Sequence, residues 1–197
     1  MANQVMDLAV RRVIIKDAKE FSAEIYVLVA CVDDKGTTAE DILKRANLNG
    51  VVEENIQDGD ELTLGPGGLP CYSAKDGDVP SRVAWAIAVY ESDKGIRDLG
   101  KQLEDISNDK RFKALAAGVA ALMTAGTVAA ALTMLSTEIL GLIGKILQFN
   151  KDDQLFIAQD YYDVDLHQTS KPKTSIYPVL ENENVRLQYR FVHIDKT

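Results

Sequence analysis

The apolar positions of this chain fall into two periodicities. Two-residue alternation and short apolar runs dominate both ends, and a four-and-three spacing occupies the middle. Leu8–Ile15 and Glu24–Val32 are rich in β-branched and aromatic residues and are followed by charged breaks, so each predicts a strand. The second is nearly all apolar and predicts a central strand. Residues 37–46 place acids in a first turn and Ile42, Leu43 and Ala46 on one face, which predicts a short helix. Val51–Glu54 and Asp60–Leu64 predict further short strands, and the Gly-Pro density of residues 65–70 predicts a loop.

Arg82–Tyr90 predicts the clearest strand of the middle region. Val83, Trp85, Ile87 and Val89 share one face, while Ala84, Ala86, Ala88 and Tyr90 share the other. That second face is small enough to lie under a closely packed neighbour. Gln154–Ala158 and Val185–Ile194 follow. The latter alternates Val185, Leu187, Tyr189 and Phe191 against polar residues, as a strand with one wet face should. His167–Ser175 is polar, holds Pro172 and predicts a loop. Roughly seven or eight strands of this length predict an antiparallel β-sandwich.

The helical period begins near Asp109. Phe112, Leu115, Val119 and Leu122 keep it, Ala125-Gly126-Thr127 interrupts it, and Val128, Leu132, Leu135, Ile139, Leu142 and Ile146 resume it. One unbroken helix would be about 60 Å long at about 1.5 Å per residue, against a radius of gyration of about 16 Å for a chain of this length. The expectation is therefore a helical hairpin over residues 108–149, broken at Gly126, inserted in a single domain spanning residues 1–197. Between Ala114 and Gly144 the only charge is Glu138. Simple hydropathy would pass residues 114–132 as a membrane span, but nearly half of that window is alanine, and insertion is driven by larger apolar side chains. Val128, Leu132, Leu135, Ile139 and Leu142 form the stripe that would meet a partner or a membrane.

With 46% apolar and 26% charged residues, the composition is that of an ordinary globular protein. A net charge of -8 with scattered Lys and Arg argues against nucleic acid as partner, since phosphate binding needs a clustered basic face. The first residues lack the pattern of a secretory signal, so the expected location is cytoplasmic or reached by another export route. Cys31 and Cys71 are expected as buried thiols, with one disulfide as the alternative in an oxidising compartment. No residue pattern matches a nucleophile elbow or a phosphate loop, so the chain is expected not to be an enzyme. His193 and Trp85 are expected as sheet-face and core residues.

Acids flank the strands. Asp17, Glu20 and Glu24 surround the first strand junction, Glu91 and Asp93 follow the Trp85 strand, and Asp152 and Asp153 precede the Leu155 strand. The order of Ala23-Glu24-Ile25-Tyr26-Val27, Val89-Tyr90-Glu91-Ser92-Asp93 and Asp152-Asp153 resembles bacterial C2-like β-sandwich proteins, in which a helical segment is inserted between acidic loops. The resemblance implies a C2-like sandwich and calcium-dependent binding. Asp17, Glu24, Glu91, Asp93, Asp152 and Asp153 would be the oxygen ligands of a Ca2+ ion, which takes six to eight of them. The chain departs from the pattern: no Asp-Pro-Tyr follows the first acidic loop, Lys94 and Lys151 sit beside two acidic groups, and Phe156 stands where glycine is usual. Solvated loop charges are the competing reading. Three functions remain open: a non-enzymatic binding module for a protein or membrane surface, a membrane-active protein that inserts its hairpin, and a structural component that assembles, as a homo-oligomer among other forms.

Overall fold

A computed structural model describes residues 3–18, 22–35, 39–75, 78–92, 98–127, 130–131, 134, 138, 140–146, 154–163 and 173–196. The protein is mainly β. Strands β1 (Asn3–Ile15), β4 (Leu69–Lys75), β7 (Lys173–Ile176), β8 (Val179–Glu181) and β9 (Val185–Lys196) form one antiparallel sheet, ordered β4-β1-β9-β7 with β8 also on β9. Strands β2 (Ala23–Asp33), β3 (Asn47–Ile56), β5 (Arg82–Glu91) and β6 (Gln154–Asp163) form the other, ordered β3-β2-β5-β6. Helix α1 (Ala39–Arg45) joins β2 to β3. Helices α2 (Leu99–Asn108), α3 (Lys110–Thr124) and α4 (Leu140–Ile146) lie in the chain between β5 and β6.

Two apolar clusters use the two faces of the second sheet. Ile25, Val27 and Val29 of β2 and Val83, Trp85, Ile87 and Val89 of β5 join Leu8, Val10, Leu187 and Phe191 of the first sheet in a common core. Trp85 lies against Tyr189 with ring centroids 4.7 Å apart. The alternate residues Tyr26, Leu28, Ala30, Ala84, Ala86 and Ala88 belong to a second cluster, with Leu103 and Ile106 of α2, Phe112, Ala116, Val119 and Met123 of α3, and Leu142 and Ile143 of α4. The alanine face of β5 is thus covered by helices, as its small side chains imply. Gly50 of β3 serves the same close packing, because a Cβ there would stand 2.7 Å from Leu28 Cδ2 and 3.4 Å from Leu103 Cδ1. The outer face of the first sheet is wetter, with Arg186 exposed and Gln188 and Arg190 half-buried between the core positions of β9.

The helix break falls where expected. The α3 helix is capped by Ala125, Gly126 takes φ 78°, and Thr127 donates from both its amide (2.9 Å) and its hydroxyl (2.8 Å) to the Leu122 carbonyl. Glycine is favoured there because the left-handed conformation ends the helix without Cβ strain. Helical structure starts earlier than residue 108, however. Asp98 accepts from the Lys101 amide and opens α2, and Asp109 both ends α2 and caps α3 through the Arg111 amide. Of the expected apolar stripe, Leu142 is buried in the second cluster, while Val128, Leu132, Leu135 and Ile139 lie outside the described residues. Among the described residues no helix is long and apolar enough to cross a membrane.

Other expectations are corrected. Asp60–Leu64 is not a strand but a single bridge, Ile14 to Glu61, because the turn around Gly59 (φ 87°) brings it alongside β1 for only a few residues. The predicted loop over residues 65–70 ends early: Leu69 and Pro70 open β4, where an edge position spares proline the missing amide. Lys173–Ser175, predicted as loop, belongs to β7. Cys31 and Cys71 are not thiols but a disulfide joining β2 to β4, and hence one sheet to the other, across 40 residues of sequence. A loop of that length confers roughly 4 kcal/mol on the chain-entropy account. The Cys31→Ser, Cys71→Ser double variant is therefore expected to lose about 2–4 kcal/mol in urea unfolding, and to gain nothing from added oxidant.

Candidate functional site

The register brings the described acids Asp17, Glu24 and Glu91 to one end of the molecule. Ile25 at the start of β2 pairs with Glu91 at the end of β5, and Tyr90 pairs with Gln154 at the start of β6. The Ser92 amide donates to the Glu24 carbonyl (3.0 Å). Asp17 follows β1 at the same end, where its amide and that of Lys16 donate to the Asn184 carbonyl (3.3 and 2.7 Å). The turn at residues 57–60 closes beneath it, with Asp58 Oδ1 accepting from the Ala18 amide (2.7 Å). Lys16 Nζ reaches Glu181 Oε1 (2.9 Å) and holds that carboxyl below its usual range.

These carboxylates differ in setting. Asp17 is exposed, Glu24 half-buried and Glu91 4% exposed. Strand pleating sends Glu91 to the inter-sheet face beside Ile25, and Glu24 to the helix-covered face beside Tyr26, so the two are neighbours in register yet diverge. Among the described residues no group of three or more His, Cys, Asp and Glu stands close enough to hold a metal ion. Asp93, Asp152 and Asp153, like Glu20, lie outside the described residues.

The opposite end carries a polar cluster built on the charged break that follows the Glu24–Val32 run. Asp33 ends β2 with its side chain fully buried. Arg45, the last residue of α1, donates from Nε to both Asp33 oxygens (2.8 and 2.7 Å) and from Nη1 to both oxygens of Asp78 (2.7 Å each). Its Nη2 reaches Tyr72 Oη (3.2 Å) and the Asp78 carbonyl (3.0 Å). The Tyr72 hydroxyl donates to Asp33 Oδ2 (2.5 Å), and the Lys35 amide donates to Oδ1 (3.0 Å). Each partner answers to this geometry. The Asp33 carboxylate raises the Arg45 guanidinium further above its ordinary value, burial and then the Asp33 bond raise the Tyr72 phenol, and Arg45 lowers the Asp78 carboxyl. Asp34 is raised mainly by burial, against the Arg82 amide that donates to it (3.0 Å).

A cleft of about 390 Å3 opens beside the cluster, with Lys44, Asn49 and Ser73 at its wall. Below it, Asn47 Nδ2 donates to the Cys71 carbonyl (2.5 Å) and Asn49 Nδ2 to the Pro70 carbonyl (3.1 Å). The edges of the two sheets, β3 and β4, are thus joined by side-chain amides, and beside them the disulfide and the ion cluster tie β2 and α1 to β4. Every Arg45 nitrogen is committed to a partner within the chain, so the arrangement acts as a clamp between α1, β2 and β4 rather than as an anion receptor. The signal for Asp33 in the sequence was slight: an acid directly continuing an apolar strand, two residues after a cysteine. His193 accords with expectation, buried on β9 with its Nδ1 3.2 Å from Tyr162 Oη.

No protein-family model matches the chain, and no curated protein matches it in sequence.

Asp33→Ala is expected to cost about 2–3 kcal/mol, because it leaves Arg45 Nε and the Tyr72 hydroxyl without their acceptor while Asp78 still holds Nη1, and adding Arg45→Met should recover part of that loss in urea melts. The phenols of Tyr72, Tyr90, Tyr162 and Tyr189 are all raised by burial, Tyr189 to about 12. A phenol raised in the folded state keeps its full contribution below the unfolded value of about 10, and loses it as pH climbs through the folded one. The urea midpoint should therefore hold level up to about pH 10 and fall from there towards pH 12 and above.

Proposed function

We propose that this chain is a non-enzymatic binding module: a C2-like β-sandwich with a helical hairpin inserted between β5 and β6. In this reading it recognises a protein or membrane-surface partner at its acidic end with the help of Ca2+. The observation that carries the reading is the gathering at one end of the β1–β2 connection with Asp17, the exit of β5 with Glu91, and the entry of β6. Carboxylates there are hard oxygen donors suited to Ca2+, and a cation would relieve their mutual repulsion. Asp17 and Glu91 would supply ligands from the described elements, with Asp93, Asp152 and Asp153 completing the set. Glu24, on the other face of its strand, would act outside that set. The Cys31–Cys71 bridge supports residence in an oxidising compartment, reached by export.

The helices favour this reading over membrane insertion. Ala116, Val119, Ala120 and Met123 are buried against the sheet, so entering lipid would first expose the alanine face of β5 to water. Calorimetric titration of Ca2+ together with thermal melting tests the proposal. At 100-fold Kd a ligand specific for the folded state adds about 2.7 kcal/mol, which for a chain of this size raises Tm by roughly 5–10 °C. Glu91→Gln with Asp152→Asn and Asp153→Asn should remove both the heat and the shift. Identical melts with and without Ca2+ would end the calcium reading, and release of vesicle contents by the metal-free protein would favour the membrane-active one.

A further inference from the structure

The long sides of the two-sheet body are unlike. The β3 edge is bridged to β4 by Asn47 and Asn49, and the first sheet ends on the side away from β4 in β7, a four-residue strand that begins with Lys173. Strand β6 has none of these guards. It has 10 residues, pairs with β5 alone among the described strands, and contains no Lys or Pro. Edges of that kind recruit another strand.

Its main chain shows which groups are open. The Leu155 carbonyl points away from β5 and accepts from Asn182 Nδ2 (2.8 Å) and Asn184 Nδ2 (3.4 Å). The Tyr161 amide also points away and is taken by its neighbour, Asp160 Oδ1 (2.8 Å). The register with β5 shifts at Leu155 but is regular from Phe156 to Asp163, so alternation counted back from Tyr161 directs the amide and carbonyl of Gln159 and Ile157 outward as well. Ile157 is 39% exposed and Gln159 exposed. A groove of about 520 Å3 runs beside this stretch, walled on the other side by residues 180–184.

We propose that this edge binds the same edge of a second copy, forming an antiparallel β6–β6 ladder about a twofold axis at Ala158. The sequence is self-complementary about that point. Ile157 of each copy faces Gln159 of the other, so the open groups meet in two hydrogen-bonded pairs. Ala158 faces its own counterpart at the closely spaced, non-bonded pair, where a small side chain fits best. The next outward positions, Leu155 and Tyr161, are also related by the axis, and both are already capped within the chain. The ladder therefore stops at the same place on both sides. The two Asp160 carboxylates would be offset by about four residues, or about 13 Å, beyond a Debye length of about 8 Å. This pairing needs no calcium and stands apart from the reading of the acidic end.

Sedimentation equilibrium of the full chain in EDTA tests it. The expected result is a concentration-dependent mass of twice 21.6 kDa, with association strengthened by salt that screens the -8 charge of each copy. In the dimer, Ile157 and Gln159 amides should exchange slowly with solvent, and dilution should restore fast exchange. Gln159→Pro removes an amide directed away from β5 and without a partner among the described residues, so it should weaken the dimer at least about 100-fold while leaving the melt of the monomer in place. Should that variant fail to fold, Ile157→Lys sets like charges across the axis on an exposed position and should weaken association in the same direction. A single-chain mass at every concentration would overturn the proposal. So would a dimer that Gln159→Pro or Ile157→Lys leaves intact, or one in which those two amides exchange freely; a single-chain mass that rises on adding extended peptides would transfer the edge to a foreign strand.

Discussion

The second sheet is apolar on both faces, and that constraint shapes the molecule. Its central strands β2 and β5 bury every position from Ile25 to Asp33 and from Val83 to Glu91, whichever way the side chain points. A sheet of this kind needs two covers. The first sheet supplies one, and the helices that follow β5 supply the other. Because the face under the helices is Ala84, Ala86 and Ala88, the cover can lie close, and its own contact residues on α3 are small too, Ala116 and Ala120 among them. The alanine content that makes this segment look membrane-seeking by hydropathy is explained by complementarity to an alanine-faced strand.

Against that apolar frame, the polar groups mark the rims and edges. One long side is sealed by the Cys31–Cys71 bridge, the Asn47 and Asn49 amides and the Asp33–Arg45–Tyr72 cluster. These contacts join elements distant in sequence, α1, β2, β3 and β4, and they hold the sheets in one relative position. On the other long side β6 pairs with β5 alone among the described strands, with the Leu155 carbonyl and the Tyr161 amide capped by side chains. One end of the body holds the exposed Asp17 and the buried Glu91, while the other pairs its acids with Arg45 and Arg82, the latter bonded to Asp163 at 2.8 Å. Rigidity is thus concentrated on the side where α1, β2, β3 and β4 meet, and the proposed recognition surfaces lie away from it.

The site was only partly legible in the sequence. Acids flanking strands could be marked as a group, and the antiparallel register does bring Asp17, Glu24 and Glu91 to one end. Whether they share a face could not be read, since one residue of offset reverses a strand side chain, and Glu24 and Glu91 fall on opposite faces for that reason. Asp33 escaped notice because an acid at a strand end looks like the start of a turn. Only the return of Arg45 from a helix 12 residues later makes it a buried ion partner. The cysteines were equally mute, because pairing depends on the distance between β2 and β4 and not on spacing in sequence.

What the sequence by itself determined is local. The two-residue period set the inward faces of β5 and β9, the unbroken apolar run marked β2 as central, the glycine at 126 set the end of α3, and the small-residue face of β5 announced a close neighbour. Pattern misled where it was short: residues 60–64 have a strand's composition but meet β1 at one bridge, and α2 was passed over although Leu99, Leu103 and Ile106 keep helical spacing. Tertiary structure alone decided strand order, the joining of β3 to β4, the disulfide, and which edge stays open. Those features depend on which distant segments meet, and side-chain period carries information about direction within one element, not about partners beyond it.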